Sequence, residues 1–249
     1  MENWPQGPAT YADSAIVMDM NSGAVLYSKQ IEKKHYPASI TKLLTTLVAL
    51  DNAELTDTVE FSQDSISFLE YGDAHIGMTP GEQISMEDAL YAVLLASANE
   101  VSYAVAESVG KKMGGGYDTF IQAMNDESEK LGCTGSHWTN ANGLHDEQHY
   151  TTAHDMARIG AAVYQKEAFR TISQSLSHTI PVTNLVNEER TFQQKHKMLW
   201  PQNDNYYEYC KGGKTGYTDQ ARTTLVTMAD NGDMQLVAVS YTHLRAHET

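Results

Sequence analysis

The chain has 249 residues, with 17 lysines and arginines against 32 aspartates and glutamates and a formal net charge of −15. That length suffices for a full core, built as one unit or as one domain with an inserted subdomain. The acidic balance and the lack of clustered Lys and Arg exclude a nucleic-acid binder, and no apolar stretch reaches the roughly 18 residues that a membrane span needs.

Met1-Glu-Asn-Trp-Pro5 carries neither the basic nor the apolar region of an export signal, the first basic residue being Lys29. Ala15–Met20 and Ala24–Tyr27 flank Asn21-Ser-Gly23 and read as a hairpin. Ser39-Ile-Thr-Lys42 then opens an apolar run, Leu43, Leu44, Leu47, Val48 and Leu50, whose spacing predicts a buried helix. Ser39 is thereby placed at a helix N-terminus, where backbone N–H groups and the dipole favour an oxyanion. Lys42 follows one turn later on the same face. A serine hydroxyl needs a base, and a lysine serves only where its surroundings keep some of it unprotonated. Taken alone, the plainer reading is favoured: an N-cap serine and a surface lysine.

Ser85-Met-Glu-Asp88 has the form of a capping box, and Met86, Leu90, Val93 and Leu94 give its helix an apolar stripe. Ser97-Ala-Asn99 falls at the turn before a second helical stretch, Val101 to Val109. There a hydroxyl is suited to relaying a proton and an amide to holding a carbonyl and a lysine; a turn with two cap residues is the plainer alternative. The chain between about 57 and 150 reads as mostly helical, with a break at Gly114-Gly-Gly116, and Thr152 and Asp155 stand in capping-box positions for another helix. Strands return near 177–185 and after Tyr207. Lys214-Thr-Gly216 precedes the β-prone run Thr223–Met228, with Leu236–Val239 behind it. Its glycine permits close approach of a substrate backbone to a strand edge. A phosphate-binding loop is rejected because the first glycine of that motif and the following helix pattern are both missing.

S-x-x-K, S-x-N and K-T-G in this order name a serine acyl-enzyme chemistry. With Pro37-Ala38 before Ser39, Asn140-Ala-Asn-Gly-Leu144, His149-Tyr-Thr-Thr-Ala153, Asp155-Met-Ala157, His196-Lys-Met198 and Gly212–Thr218, the chain resembles the serine D-alanyl-D-alanine carboxypeptidases. These are low-molecular-mass penicillin-binding proteins related to class A β-lactamases, and the resemblance runs from about Tyr11 to Val239. It implies an α/β (α+β) fold of the β-lactamase/transpeptidase kind, an antiparallel sheet flanked by helices with a helical subdomain at about 57–150. It also implies Ser39 as nucleophile, Lys42 as base and Ser97 as proton relay. Asn99, Lys214, Thr215, Gly216 and Tyr217 would bind substrate, with the N–H groups of Ser39 and Tyr217 as the oxyanion hole and Thr215 on the terminal carboxylate. The implied substrate is the D-Ala-D-Ala end of a peptidoglycan stem peptide, with penicillins and other β-lactam antibiotics as mimics, no cofactor, no metal, and an extracytoplasmic location on the cell-wall face of the membrane.

Related readings remain beside this one: a D,D-endopeptidase of the same family, a β-lactamase, or a non-catalytic penicillin sensor. No E-x-x-L-N lies between Asn99 and Lys214, which predicts slow release of penicillin. A zinc peptidase is weighed on the i, i+4 spacing of His145 and His149. It fails because Asp146 replaces the required Glu and the polar, glycine-preceded segment predicts a solvated loop, which Asp155 is expected to help fix. His35, His75, His137, His178 and His196 show no ligand spacing and are taken as ordinary polar residues. Cys133 and Cys210 are expected as free thiols. The family commonly adds a β-rich domain and an amphipathic membrane anchor; neither is expected here, so the chain is expected to be soluble, a trimmed form of a membrane-associated protein. Residues 240–249 do not match the family pattern and are expected to be a non-native tail. That expectation puts the last strand in doubt, leaves Arg245 and Arg222 as uncertain carboxylate partners, and predicts weak peptide turnover with acylation retained.

Overall fold

The computed structural model describes residues 7–242. Strands β1 (Ser14–Asp19) and β2 (Val25–Lys29) form the expected hairpin, with Ala15 opposite Lys29 and Val17 opposite Tyr27. A 3-10 turn, Ala38–Thr41, leads into α1 (Lys42–Asn52). Every residue of α1 from Lys42 to Ala49 is buried, so this helix is the central post of the molecule. Each of Leu43, Leu44 and Leu47 contributes about 1.5–3 kcal/mol by leaving water.

The expected helical subdomain is less uniform than its composition suggests. It opens on β3 (Thr58–Glu60) and a single turn α2 (Asp64–Ser67), and β4 (Gln83–Ser85) returns to pair antiparallel with β3. α3 (Met86–Tyr91) starts at the predicted capping box, where Ser85 Oγ accepts from the Asp88 N–H at 3.1 Å. A π-helical turn, Ala92–Ala96, follows, and then α4 (Asn99–Lys112) and α5 (Tyr117–Lys130) pack side by side. An irregular stretch, 131–152, leads to α6 (Ala153–Tyr164), capped by Thr152 Oγ1 accepting from the Asp155 N–H, and to α7 (Glu167–Gln174). β5 (Ser177–Ile180) pairs with β6 (Arg190–Gln193), a short strand whose one apolar residue, Phe192, gives no alternation to read in the sequence.

β7 (Cys210–Thr218), β8 (Arg222–Asp230) and β9 (Gln235–Thr242) complete an antiparallel five-stranded sheet in the order β2-β1-β9-β8-β7. The first hairpin thus joins the last strands, as predicted, and β7 is an outer strand. α6 lies on β1, β8 and β9. Gly160 makes that approach possible, since a Cβ there would stand 2.9 Å from Val237 Cγ2.

β9 runs past Val239: Ser240, Tyr241 and Thr242 continue it in register with Ala15, Ser14 and Thr223 respectively. Tyr241 anchors this end of the strand, fully buried and stacked on His35 with ring centroids 4.4 Å apart. Arg245 lies outside the described residues. Cys133 and Cys210 are both buried and free. No helix among the described residues is long and apolar enough to cross a membrane.

The β5–β6 pair is pinned to the helical part by a buried ion pair. Arg190 Nη1 and Nη2 donate to Glu82 Oε1 and Oε2 at 2.6 and 3.1 Å, and Thr183 Oγ1 and the Thr79 N–H also donate to this carboxylate. Burial pushes the Glu82 carboxyl up, yet these hydrogen bonds bring it below its ordinary value.

Candidate active site

A cleft of about 770 Å³ separates the β7 edge from the helical part. Its lining includes Ser39, Ser97, Asn99, Thr215, Gly216 and Tyr217. Lys42 and Lys214, both fully buried, underlie it. All eight residues singled out in the sequence therefore meet at one place.

Ser39 sits inside the 3-10 turn rather than on the first turn of α1. The turn is held from three sides. Thr224 Oγ1 on β8 donates to the Pro37 carbonyl at 2.9 Å. A Cβ on Gly143, which has φ +84°, would collide with the Ala38 carbonyl, and one on Gly216 would stand 2.9 Å from the Ser39 nitrogen. Only glycine lets these backbones come so close. Beneath the turn, His149 Nδ1 accepts from the Thr139 N–H at 3.0 Å, which leaves its proton on Nε2 to face Thr41 Oγ1 at 2.8 Å; that hydroxyl donates to the Ala38 carbonyl at 2.9 Å. Burial pushes the His149 imidazole down to about 3, so it is neutral.

This finding corrects the expectation of a wholly solvated loop at 145–149. Residues 145–148 are exposed, but His149 turns inward because the backbone N–H of Thr139 and the Thr41 hydroxyl both need a buried partner. His35 and His196 are also buried, bonded to Ser14 Oγ and Thr227 Oγ1. Asp155 accepts from the Gly135 N–H and Ser136 Oγ, and Ser136 bonds Thr151, so its anchorage lies upstream of that loop. Among the described residues, no three His, Cys, Asp or Glu side chains converge as a metal site.

Lys42 Nζ has three neighbours: Asn99 Oδ1 at 2.7 Å, the Asn142 carbonyl at 2.6 Å and Ser39 Oγ at 3.1 Å. Burial, then the charge of Lys214, pushes this lysine well below its ordinary range, although Glu100 and Asp73 act in the opposite sense. A neutral amine has two hydrogens and one lone pair. Two of its three neighbours are carbonyl oxygens, which only accept, so the lone pair is left for the Ser39 hydroxyl.

Ser97 has φ +64° and ψ 31°, left-handed values that are rare for a serine, and it ends the π turn. The irregular turn and the strained residue together direct Oγ to Lys214 Nζ, 3.0 Å away; such a conformation costs about 1–3 kcal/mol and persists where its surroundings impose it. Lys214 Nζ also donates to the Thr215 carbonyl at 2.8 Å. Burial, and then Lys195, brings Lys214 down to about 7. Glu100, next to Asn99, accepts from the Ile76 N–H at 2.7 Å and so ties down the 72–78 segment at the cleft's opposite wall; burial raises its carboxyl.

The sequence did not single out Lys195, which also lines the cleft, nor the structural parts played by Glu100, His149 and the Asn142 carbonyl. The last two lie in stretches whose resemblance to the family was noted, but only their folded positions show what they hold.

A serine on a tight turn with a buried lysine beneath it, set between an outer strand and a helical subdomain, is the architecture of an active-site-serine acyl-transfer protein. The family model described as D-alanyl-D-alanine carboxypeptidase, peptidase S11, matches residues 1–243, and the chain belongs to this family. It is 30% identical over 239 residues to the D-alanyl-D-alanine carboxypeptidase DacF of Bacillus subtilis, covering 92% of this chain and 57% of the relative. It is 32% identical to DacB2 of Mycobacterium tuberculosis, covering 94% and 74%. The chain spans somewhat over half the length of DacF and of the Escherichia coli relative DacC. Among solved structures, a D-alanyl-D-alanine carboxypeptidase from M. tuberculosis superposes with a TM-score of 0.83 at 32% identity, covering 97% of this chain and 85% of that one. The Streptomyces K15 DD-transpeptidase gives 0.85 at 21% identity, covering 97% and 93%, a likeness of fold.

Proposed function

We propose that this chain is a serine D,D-carboxypeptidase that removes the terminal D-alanine of peptidoglycan stem peptides on the cell-wall face of the membrane. The observation that carries the reading is the setting of Lys42, a buried lysine whose two carbonyl partners leave its lone pair to Ser39.

Ser39 Oγ attacks the carbonyl carbon between the two D-alanines as its proton passes to Lys42 Nζ. The oxyanion forms against the backbone N–H groups of Ser39 and Tyr217. Support for this placement comes from β7, an outer strand that packs so close to the turn that a Cβ on Gly216 would stand 2.9 Å from the Ser39 nitrogen; each such donor is worth about 3–4 kcal/mol. The C–N bond then breaks, and the leaving amine takes the proton that Lys42 had accepted, relayed through Ser97, which is hydrogen-bonded to Lys214, so that Lys42 is free to act as base again. Water next attacks the ester carbonyl, giving a proton to Lys42, and the acid product leaves as Ser39 Oγ is reprotonated. Asn99 and Thr215 hold the substrate, and penicillins acylate the same oxygen.

Intact-protein mass after incubation with a penicillin tests this reading, with wild type compared to Ser39→Ala. One adduct is expected in the wild type and none in the variant, together with D-alanine release from a D-Ala-D-Ala peptide by the wild type alone. An adduct that survives in Ser39→Ala would overturn the assignment of the nucleophile, and an adduct without D-alanine release would make the chain a penicillin-binding sensor.

A further inference from the structure

Lys42 owes part of its setting to the Asn142 carbonyl, and the backbone behind that carbonyl is held by a residue outside the three motifs. The Ala141 N–H donates to Tyr117 Oη at 3.1 Å, and the Ala141 carbonyl accepts from Thr45 Oγ1 on α1 at 2.7 Å. One residue on, the Asn142 carbonyl accepts from Lys42 Nζ at 2.6 Å. Ala141 is fully buried, so its N–H depends on a partner supplied by the protein.

Tyr117 is itself held in place. It opens α5 directly after Gly114-Gly-Gly116. A Cβ on Gly110 would collide with the Gly116 carbonyl, so glycine there lets α5 double back tightly on α4. That return lays the Tyr117 ring on Tyr103 of α4, with centroids 4.1 Å apart and planes 17° from parallel, and Phe68 stacks on Tyr103 in turn at 5.4 Å. Phe68 lines the cleft, whereas Tyr117 does not. Three rings thus form a column from the cleft wall to the loop behind Lys42, and the column restricts where Tyr117 Oη points. Burial pushes the Tyr117 hydroxyl up to about 12, which keeps it neutral.

We propose that Tyr117 is a positioning residue for the base: its hydroxyl fixes the Ala141–Asn142 backbone, the Asn142 carbonyl holds one hydrogen of Lys42, and the lone pair is thereby aimed at Ser39. This inference rests on the reading of Lys42 as base. Tyr117 acts through that carbonyl alone.

The test is Tyr117→Phe, which removes one oxygen and keeps the ring in the column. Its control is Asn125→Ala, at a side chain that holds the backbone of Trp138 earlier in the same irregular stretch, donating to its carbonyl at 2.8 Å and accepting from its N–H at 3.0 Å. Time-resolved intact mass at several penicillin concentrations and pH values separates the first-order acylation rate from the half-saturating concentration. Tyr117→Phe is expected to slow the rate by about five- to tenfold, the scale of one hydrogen bond, and to change the half-saturating concentration less than about twofold. The acid limb should move to lower pH, because the Asn142 carbonyl favours the ammonium form of Lys42 and a looser carbonyl favours it less. The charges that act on Lys42, those of Lys214 on β7, Glu100 on α4, Lys195 and Asp73, are the same in both variants. Asn125→Ala should lower stability in denaturant and leave the acid limb where it is. A Tyr117→Phe protein with the wild-type rate and limb, or an equal loss in both variants with the limb unmoved, would overturn the proposal. Acylation of Lys42→Met at the wild-type rate would instead remove the underlying reading of the base, which separates the two failures.

Discussion

Lys42 and Lys214 are the same residue type, both fully buried and neither paired with a carboxylate, yet they stand in different surroundings. Lys42 belongs to α1 and is enclosed by the loop that carries Asn142 and by the first residue of α4, whereas Lys214 belongs to the outer strand and faces Ser97. Burial depresses both, but Lys42 also feels the charge of Lys214 and is pushed well below its ordinary range, while Lys214 comes to about 7. The difference teaches that two equally buried lysines of one site are set apart by their neighbours, Lys42 facing the charge of Lys214 and Lys214 that of Lys195. On the reading proposed above Lys42 is the base, while Lys214, brought to about 7, carries its charge in part of the molecules at neutral pH.

The largest break in that comparison is Lys42→Met, which removes the base and keeps the bulk. Acylation of Ser39 by penicillin is expected to slow by about 10²–10⁴-fold, measured by time-resolved intact mass. Next in size is the pH dependence. Loss of charge on Lys214 is expected to lower kcat/KM for the D-Ala-D-Ala peptide as pH rises through about 7. Protonation of Lys42 should lower it again on the acid side, so that the profile is a bell belonging to the coupled pair. Lys214→Arg keeps its charge at all these pH values, so the alkaline fall should vanish; its persistence would assign that fall to another group. The smallest effect is expected from His149→Ala, which leaves the Thr139 N–H and Thr41 hydroxyl without their partner. Denaturant unfolding should show a loss of about 1–3 kcal/mol, with acylation slowed less than in Lys42→Met and the alkaline limb unmoved.

Local chemistry explains which parts were legible in the sequence. The first hairpin, α1 and the caps at Ser85 and Thr152 depend on residues within a few positions of one another. The motif order then brought all eight candidate site residues to one cleft. What stayed hidden depends on distant partners. Lys42 meets a carbonyl 100 residues away, and Thr41 meets a histidine 108 away. β6 has no apolar alternation and forms through its pairing with β5 and the Arg190 contact with Glu82. The π turn that aims Ser97 is a defect in an otherwise ordinary apolar helix pattern, and Lys195 is one unmarked lysine until the fold faces it toward the cleft.

The neutral histidines that buttress the site have a consequence for acid tolerance. His149 and His196 are held by burial at about 3 and about 4, against about 6.5 in an unfolded chain. As pH falls below about 6.5, the unfolded chain takes up protons at both positions that the folded chain refuses. Their contribution is therefore fully present above that pH, shrinks as acid is added, and is gone once the folded imidazoles themselves titrate near 4 and 3. The same desolvation that keeps these imidazoles neutral at neutral pH thus makes unfolding proton-consuming, so the protein should lose stability steadily in mildly acid medium.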